Sequence, residues 1–258
     1  MQTAVVTGAS RGVGRGVAIA LAEAGYRVFA TGRSVDTADL TPSIERLACD
    51  HVDDEQTERV FATVATGSVG LDLLVNCAWG GCERMVEDGR FTWGAPFWEQ
   101  PLHRWRGMVD AGLRAAFVSS AHAARLMVPR GAGLIANLSF WAAKRRLGNV
   151  IYGVAQAGTD KMTANMAEEL RPHGVSVVSI YPGLVRTERV IEAAAQGALR
   201  LENSESPQFI GRVIAALAAS PMAKEKSGQS LVAAQVARGL GVTDIDGASP
   251  APLSMDDV

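Results

Sequence analysis

Short β-branched runs alternate with longer Ala- and Leu-rich stretches along almost the whole chain. Ala4-Val5-Val6 leads into a glycine-rich turn, after which Gly16 to Ala24 reads as a helix. Arg27 to Thr31 predicts a second strand and Ile44 to Ala48 a weaker third. Asp53 to Thr66 reads as a helix whose acidic first turn suits the positive end of the helix dipole. Leu71 to Asn76 is a strong strand, followed by a long helix from His103 to Val128 and a strand from Gly133 to Leu138. Ile151 to Arg171 predicts a helix, Val175 to Tyr181 a strand, Pro207 to Ala219 a helix and Ser230 to Ala233 a last strand.

The apolar runs in these strands are continuous rather than alternating, as expected of strands covered on both faces. The β-α-β-α rhythm then predicts parallel strands joined by helical crossovers. The expected architecture is a single α/β domain, a doubly wound parallel sheet of about seven strands with helices on both faces. Residues 1–247 form that domain in this reading. Residues 248–258, rich in Pro, Ser and Asp, form an irregular tail. The connection from Ser34 to Ser43 is shorter than the dozen or so residues a parallel crossover usually takes. Thr41-Pro42 discourages a full helix there, so a turn or short helix is expected.

Composition narrows the function classes. With 258 residues and 48% hydrophobic content the chain can bury a substantial core. A net charge of −2 gives no basic surplus for a nucleic-acid partner. No window approaches the roughly 18 apolar residues of a membrane span. The opening MQTAVVTGAS lacks the basic and apolar regions of a signal peptide. Cys49, Cys77 and Cys82 are odd in number, lie in apolar stretches and have no metal-like spacing. They read as reduced thiols of a cytoplasmic protein without a metal site.

Candidate chemistry begins at the first strand-to-helix junction, Thr7-Gly8-Ala9-Ser10-Arg11-Gly12-Val13-Gly14. Glycines there let backbone approach a pyrophosphate, and the helix N-terminus offers free N–H donors and a positive dipole end. This is the turn of a Rossmann fold. An NAD site usually carries an acid at the end of the second strand, to bind the ribose 2′-hydroxyl. Here Gly32 stands at that place, with Arg33 next and Arg11 in the glycine turn. Two guanidinium groups suit a 2′-phosphate, so NADP(H) is the expected cofactor, with NAD(H) the alternative.

The spacing of Thr7, Gly8, Gly12 and Gly14 resembles the TGxxxGxG pattern of the short-chain dehydrogenase/reductase family. The likeness runs to near Gly247 and takes in Asp50, Asn76-Cys77-Ala78, Ser139, Tyr152 and Pro182-Gly183-Leu184-Val185-Arg186-Thr187. The stretches Pro96 to Glu99, Ala124 to Pro129, Tyr152 to Val154 and Asp244 to Gly247 resemble one subgroup within it. The resemblance implies that Asp50, with His51 beside it, meets the adenine edge. It implies that Asn76 and Ala78 line the adenine ribose, and that Pro182, Gly183, Val185 and Thr187 hold the nicotinamide end. It also makes Ser139 and Tyr152, thirteen residues apart, the pair of hydroxyls that meet at a substrate oxygen.

Two departures stand out against that family. The Lys expected four residues after Tyr152 is Gln156, on the same helix face. A Gln amide can hold the nicotinamide ribose, but it cannot supply the charge that lowers a tyrosine pKa. An unperturbed tyrosine is about one part in a thousand phenolate at neutral pH. Reduction, which uses the neutral hydroxyl as acid, therefore suffers less than oxidation. The Asn that holds a relay water in the preceding helix is Gly112, and Trp79 stands in place of a Gly near the cofactor. Three readings remain at this stage. They are an NADPH-dependent carbonyl reductase drawing charge from Lys144, Arg145 or Arg146, a non-redox dehydratase, cyclase or isomerase, and a cofactor-binding regulatory protein.

Trp79, Trp93, Trp98, Phe140 and Trp141 are candidates for the wall of a pocket for a bulky or aromatic small molecule. The segment from Arg186 to Ser206 is expected to carry a short helix at the family's substrate loop. The two helices around 103–128 and 151–171 are apolar on more than one face, and family members pair them. A homodimer or homotetramer is therefore expected.

Overall fold

The computed structural model describes residues 1–81, 85–87 and 89–257. Cys82 lies outside them. The main sheet takes up strands β1 (Thr3–Thr7), β2 (Arg27–Gly32), β3 (Glu45–Ala48) and β4 (Leu73–Asn76) from the first half of the chain. A short antiparallel hairpin, β5 (Val86–Glu87) and β6 (Arg90–Phe91), follows outside the sheet. Strands β7 (Gly133–Leu138) and β8 (Val175–Tyr181) rejoin it, β9 (Leu184–Val185) and β10 (Ser204–Glu205) form a separate pair, and β11 (Ser230–Val232) closes the edge. The order across the sheet is β11-β8-β7-β4-β1-β2-β3, with every neighbouring pair parallel. The chain therefore leaves β1 in one direction and later resumes at β4 on its other side. The ends of β1 and β4, Thr7 opposite Asn76, form the crevice where such sheets bind ligands.

Helices α1 (Gly12–Glu23) and α2 (Asp54–Gly67) serve the first half of the sheet. The long helix expected over 103–128 consists of α3 (His103–Trp105), a π-helical stretch over Arg106–Arg114, and α4 (Ala115–Met127). The second half carries α5 (Val150–Leu170), α6 (Glu188–Ala195), α7 (Pro207–Ala218), α8 (Met222–Glu225) and α9 (Ala233–Leu240). The short connection after β2 holds only a 3-10 turn at Val35–Thr37, in line with its length. Alternate residues of β1 feed opposite cores. Ala4 and Val6 face the cluster of α1, α7 and α9, while Val5 joins Phe29, Phe61, Met127 and Val177 on the other side. Among the described residues, no helix is long and apolar enough to cross a membrane.

A polar seam runs through the middle of the sheet. Asn76 Nδ2 donates to Asn137 Oδ1 at 2.8 Å, Asn137 Nδ2 to Thr163 Oγ1 at 2.9 Å, and Ser179 Oγ to Thr163 Oγ1 at 2.9 Å. All four residues are buried, and the chain of donors ties β4, β7 and β8 to α5. Buried polar groups of this kind fix one register because any slip leaves them unpaired.

Candidate active site

The cradle is built from the end of β1. The Thr7 hydroxyl accepts from the backbone N–H of Cys77 and of Ala78, both at 3.1 Å, and so pins the ends of β1 and β4 together. Gly8 has φ +66, and a side chain there would stand 2.6 Å from the Cys77 carbonyl. At Gly14 a Cβ would lie 2.3 Å from the Gly8 carbonyl, so the turn closes only with glycine at both places. The turn thereby presents the N-terminus of α1 to the crevice. A carboxylate already sits there: Glu188, the first residue of α6, accepts from Gly12 N–H at 3.1 and 3.3 Å. Arg15 holds the same carboxylate at 3.0 Å and reaches Asp39 at 3.7 Å. This helix end therefore holds an anion, as helix N-termini do.

The adenine side differs from the sequence reading in two side chains. Asn76 turns into the polar seam, donating also to Ser120 Oγ and the Ala116 carbonyl, so its amide faces the interior and not a ribose. His51 is buried, with Nε2 2.7 Å from Thr31 Oγ1, and burial lowers its pKa to about 4. Its ring is a neutral part of the core. Asp50 closes its own turn by accepting from Val52 N–H. At Gly32 a Cβ would approach Ser10 Oγ to 2.5 Å, so the end of β2 carries no side chain toward the crevice. Arg11, the residue before α1, and Arg33 after β2 are both exposed, while Gly12 and Val13 are half-buried.

On the nicotinamide side Gly183 N–H donates to the buried Glu205 carboxylate at 2.7 Å, which binds the Pro182-Gly183 turn and Val185 to β10. The Thr187 hydroxyl caps α6, accepting from Val190 N–H at 3.4 Å. Sequence reasoning missed Arg15, Glu188 and Glu205. The first two lie far apart in the chain, and only the fold brings them to one helix end.

The hydroxyl pair comes from two neighbouring elements. Ser139 follows β7 directly and is held by its N–H to the Ile180 carbonyl at 2.9 Å. Its Oγ reaches the Gln156 carbonyl of α5 at 3.4 Å. Tyr152 lies on the first turn of α5, whose N-cap Asn149 accepts from Tyr152 N–H at 2.9 Å. Gln156 is buried one turn further on. The Tyr152 ring packs against two indoles. Trp93 lies 5.2 Å away and Trp79 5.8 Å, centroid to centroid. The Trp93 loop is tied to α5 by Asn149 Nδ2 on the Trp93 carbonyl at 3.4 Å and by Gly148, where a Cβ would collide with the indole at 2.2 Å.

The two departures at Trp79 and Gly112 prove to be one. A Cβ on Gly112 would stand 2.6 Å from the Trp79 ring, so the indole fills the space a side chain there would take. The π-helical turn over Arg106–Arg114 supplies the widened helix on which it rests. Trp141 packs edge-on against Tyr181 at 5.2 Å behind Ser139, and Phe140 is half-buried beside it. Trp98 is different: it is 73% exposed and rests on Phe97, not on the Tyr152 cluster. Among the described residues, no group of His, Cys, Asp or Glu could hold a metal.

Glycine cradle, crevice and hydroxyl pair together define a dinucleotide-dependent oxidoreductase of the Rossmann type. The chain belongs to the short-chain dehydrogenase family, whose model matches residues 2–197. It is 38% identical to dehydrogenase/reductase SDR family member 1 of Mus musculus, over 95% of this chain and 84% of that protein. L-xylulose reductase of Bos taurus is 35% identical over 71% of this chain and 72% of its own length. A crystal structure described as ribose-5-phosphate isomerase from Brucella melitensis superimposes with a TM-score of 0.74 at 26% identity, covering 90% of each chain.

Proposed function

We propose that the protein is an NADPH-dependent carbonyl reductase acting on a bulky or aromatic small molecule. The observation that carries this reading is the placement of Tyr152. Its ring packs against Trp79 and Trp93 on the first turn of α5, and Ser139, at the end of β7, reaches the same helix at the Gln156 carbonyl. Both hydroxyls belong to the C-terminal rim of the sheet, beside the glycine cradle.

The cofactor fits the residues present. Gly8 and Gly14 leave room for the pyrophosphate, the α1 N-terminus already attracts a carboxylate, and the guanidinium groups of Arg11 and Arg33 suit a 2′-phosphate. When bound, the nicotinamide supplies the hydride that converts the carbonyl carbon to an alcohol carbon. Ser139 and Tyr152 polarise the carbonyl by hydrogen bonding, and Tyr152 donates the proton to the oxygen as its electron pair forms. Gln156 holds the nicotinamide ribose through its amide, a role open to an uncharged side chain. The indoles exclude water and receive the flat or apolar part of the substrate.

The test follows the nicotinamide absorbance with a panel of aryl and branched ketones and aldehydes, beside Tyr152→Phe and Gln156→Lys. Turnover that disappears in Tyr152→Phe and persists or rises in Gln156→Lys supports the reading. A wild-type protein that binds NADPH yet reduces no carbonyl, or a Tyr152→Phe variant as fast as wild type, overturns it. Affinity for NADH rising above that for NADPH in Arg33→Asp tests the cofactor preference.

A further inference from the structure

The family's route for returning a proton to the tyrosine is missing here, since Gln156 carries no charge and Trp79 fills the place beside Gly112. Another polar path begins at the strand next to Ser139. The Tyr181 hydroxyl, at the end of β8, donates to Asp160 Oδ2. Ser139 is the neighbour of Tyr181 across the strands, with the Ser139 N–H on the Ile180 carbonyl at 2.9 Å, and both side chains reach α5, Ser139 at the Gln156 carbonyl and Tyr181 at Asp160. Lys144 Nζ stands 3.4 Å from Asp160 Oδ2. Asp160 Oδ1 is buried without a hydrogen-bond partner. Asp160, Lys144, Lys161, Gln229 and Ser230 line a cavity of about 580 Å3. Tyr181 itself is buried, so solvent reaches the path through this cavity and its lysines.

We propose that Tyr181, Asp160 and Lys144 form the proton entry of this enzyme, carrying protons from that cavity through Ser139 to the substrate oxygen. This rests on the reductase reading above. In the resting arrangement the Ser139 hydroxyl donates to the Gln156 carbonyl and Tyr181 donates to Asp160, so the Ser139 hydroxyl turns toward Tyr181 as the path engages. A proton passed from the Lys144 ammonium to Asp160 reverses the order. Asp160 then donates to Tyr181, Tyr181 to Ser139, and Ser139 to the product oxygen, which returns its own proton to the Tyr152 phenolate. Lys144 regains a proton from water in the cavity, so the cycle consumes one proton from solvent per carbonyl reduced. Burial and the Asp160 carboxylate both push the Tyr181 pKa well above the usual tyrosine range, so Tyr181 acts by relay as a neutral hydroxyl and not as a resident phenolate.

The experiment compares wild type, Tyr181→Phe, Lys144→Ala and Lys144→Arg in steady-state reduction of one ketone, in H2O and D2O, with NADPH and with its C4-deuterated form. NADPH affinity is measured directly by fluorescence. The expected result for Tyr181→Phe is a fall in kcat of about tenfold or more with unchanged NADPH affinity. Its solvent isotope effect rises while the deuteride effect shrinks toward one, because proton return has become limiting. Lys144→Ala should behave likewise and recover on addition of methylammonium, which the cavity can admit, while Lys144→Arg keeps most of the rate. Lys144 is half-exposed, so its variants test the path even if Tyr181→Phe fails to fold. An active wild type whose Lys144→Ala and Tyr181→Phe variants keep both isotope effects overturns the proton path alone. A wild type with no carbonyl reduction overturns the path together with the reductase reading.

Discussion

Replacing Glu188 by Gln should tighten NADPH binding and weaken the cofactor-free protein at the same time. The Glu188 carboxylate takes the Gly12 N–H at the start of α1 and forms an ion pair with Arg15 at 3.0 Å. A pyrophosphate needs that same helix end, so the carboxylate has to leave before the cofactor can settle. Glu188 is 49% exposed, which keeps each of its interactions modest. An anion at an exposed helix N-terminus is worth about 0.3–1 kcal/mol, and an exposed ion pair about 0.2–1 kcal/mol. Releasing both amounts to roughly 0.5–2 kcal/mol, or about 2- to 30-fold in Kd. The same interactions are lost from the free protein, whose unfolding free energy should fall by a similar amount. NADPH fluorescence titration at low ionic strength measures the first effect, and urea unfolding without cofactor measures the second. Raising the salt should shrink the difference in Kd between Glu188→Gln and wild type, since the competing charges are near the surface. A Kd for Glu188→Gln equal to or weaker than wild type, in a protein that still folds, refutes the idea that this carboxylate competes for the cradle.

Other consequences can be checked independently. Burial raises the Glu205 pKa to about 7, so its protonated form favours the folded state. That contribution is complete below about pH 4.5 and is lost as pH rises to about 7, whereas His51, lowered to about 4, contributes above about 6.5 and loses it on acidification. The two oppose each other between about pH 4.5 and 6.5, and Glu205→Gln should expose a steeper acid loss of stability in urea melts; an unchanged pH profile would refute this account. Gly112→Asn should be strongly destabilising because its side chain meets the Trp79 ring, and adding Trp79→Gly should recover much of the loss, a coupling of about 1–3 kcal/mol in a thermal-melt cycle. The exposed Phe117 of α4 and Val154 of α5 fit a pairing of these helices between copies, so Phe117→Asp with Val154→Lys should shift the protein toward monomer in light scattering.

Elements with a one-dimensional signature were readable in the sequence. The buried strands show continuous apolar runs, and α2, α5 and α7 fall within a residue or two of their expected limits because caps and periodicity mark them locally. The glycine turn was equally plain, since close backbone approach excludes every other residue at Gly8 and Gly14. Helix α9 was not visible, although it is strongly amphipathic, because it begins immediately after β11 without a side-chain cap. The short β9–β10 pair also escaped notice, being two residues long on each side.

What a residue type means at the site was harder to read, because side-chain direction is set by partners distant in the chain. Asn76 occupies a position whose pattern suggests a ribose ligand, yet Asn137 and Ser120 draw its amide inward. Trp79 and Gly112 are 33 positions apart and each looked like a separate loss. In space they are one substitution, a bulky ring against a bare backbone. The replacement of a polar residue by glycine is therefore no sign of decay at this site. The indole that Gly112 admits also packs against Tyr152, so one change both fills the space beside the helix and adds an apolar wall to the Tyr152 ring. An apolar wall at that ring keeps competing water out of the pocket, which suits the proposed carbonyl reduction.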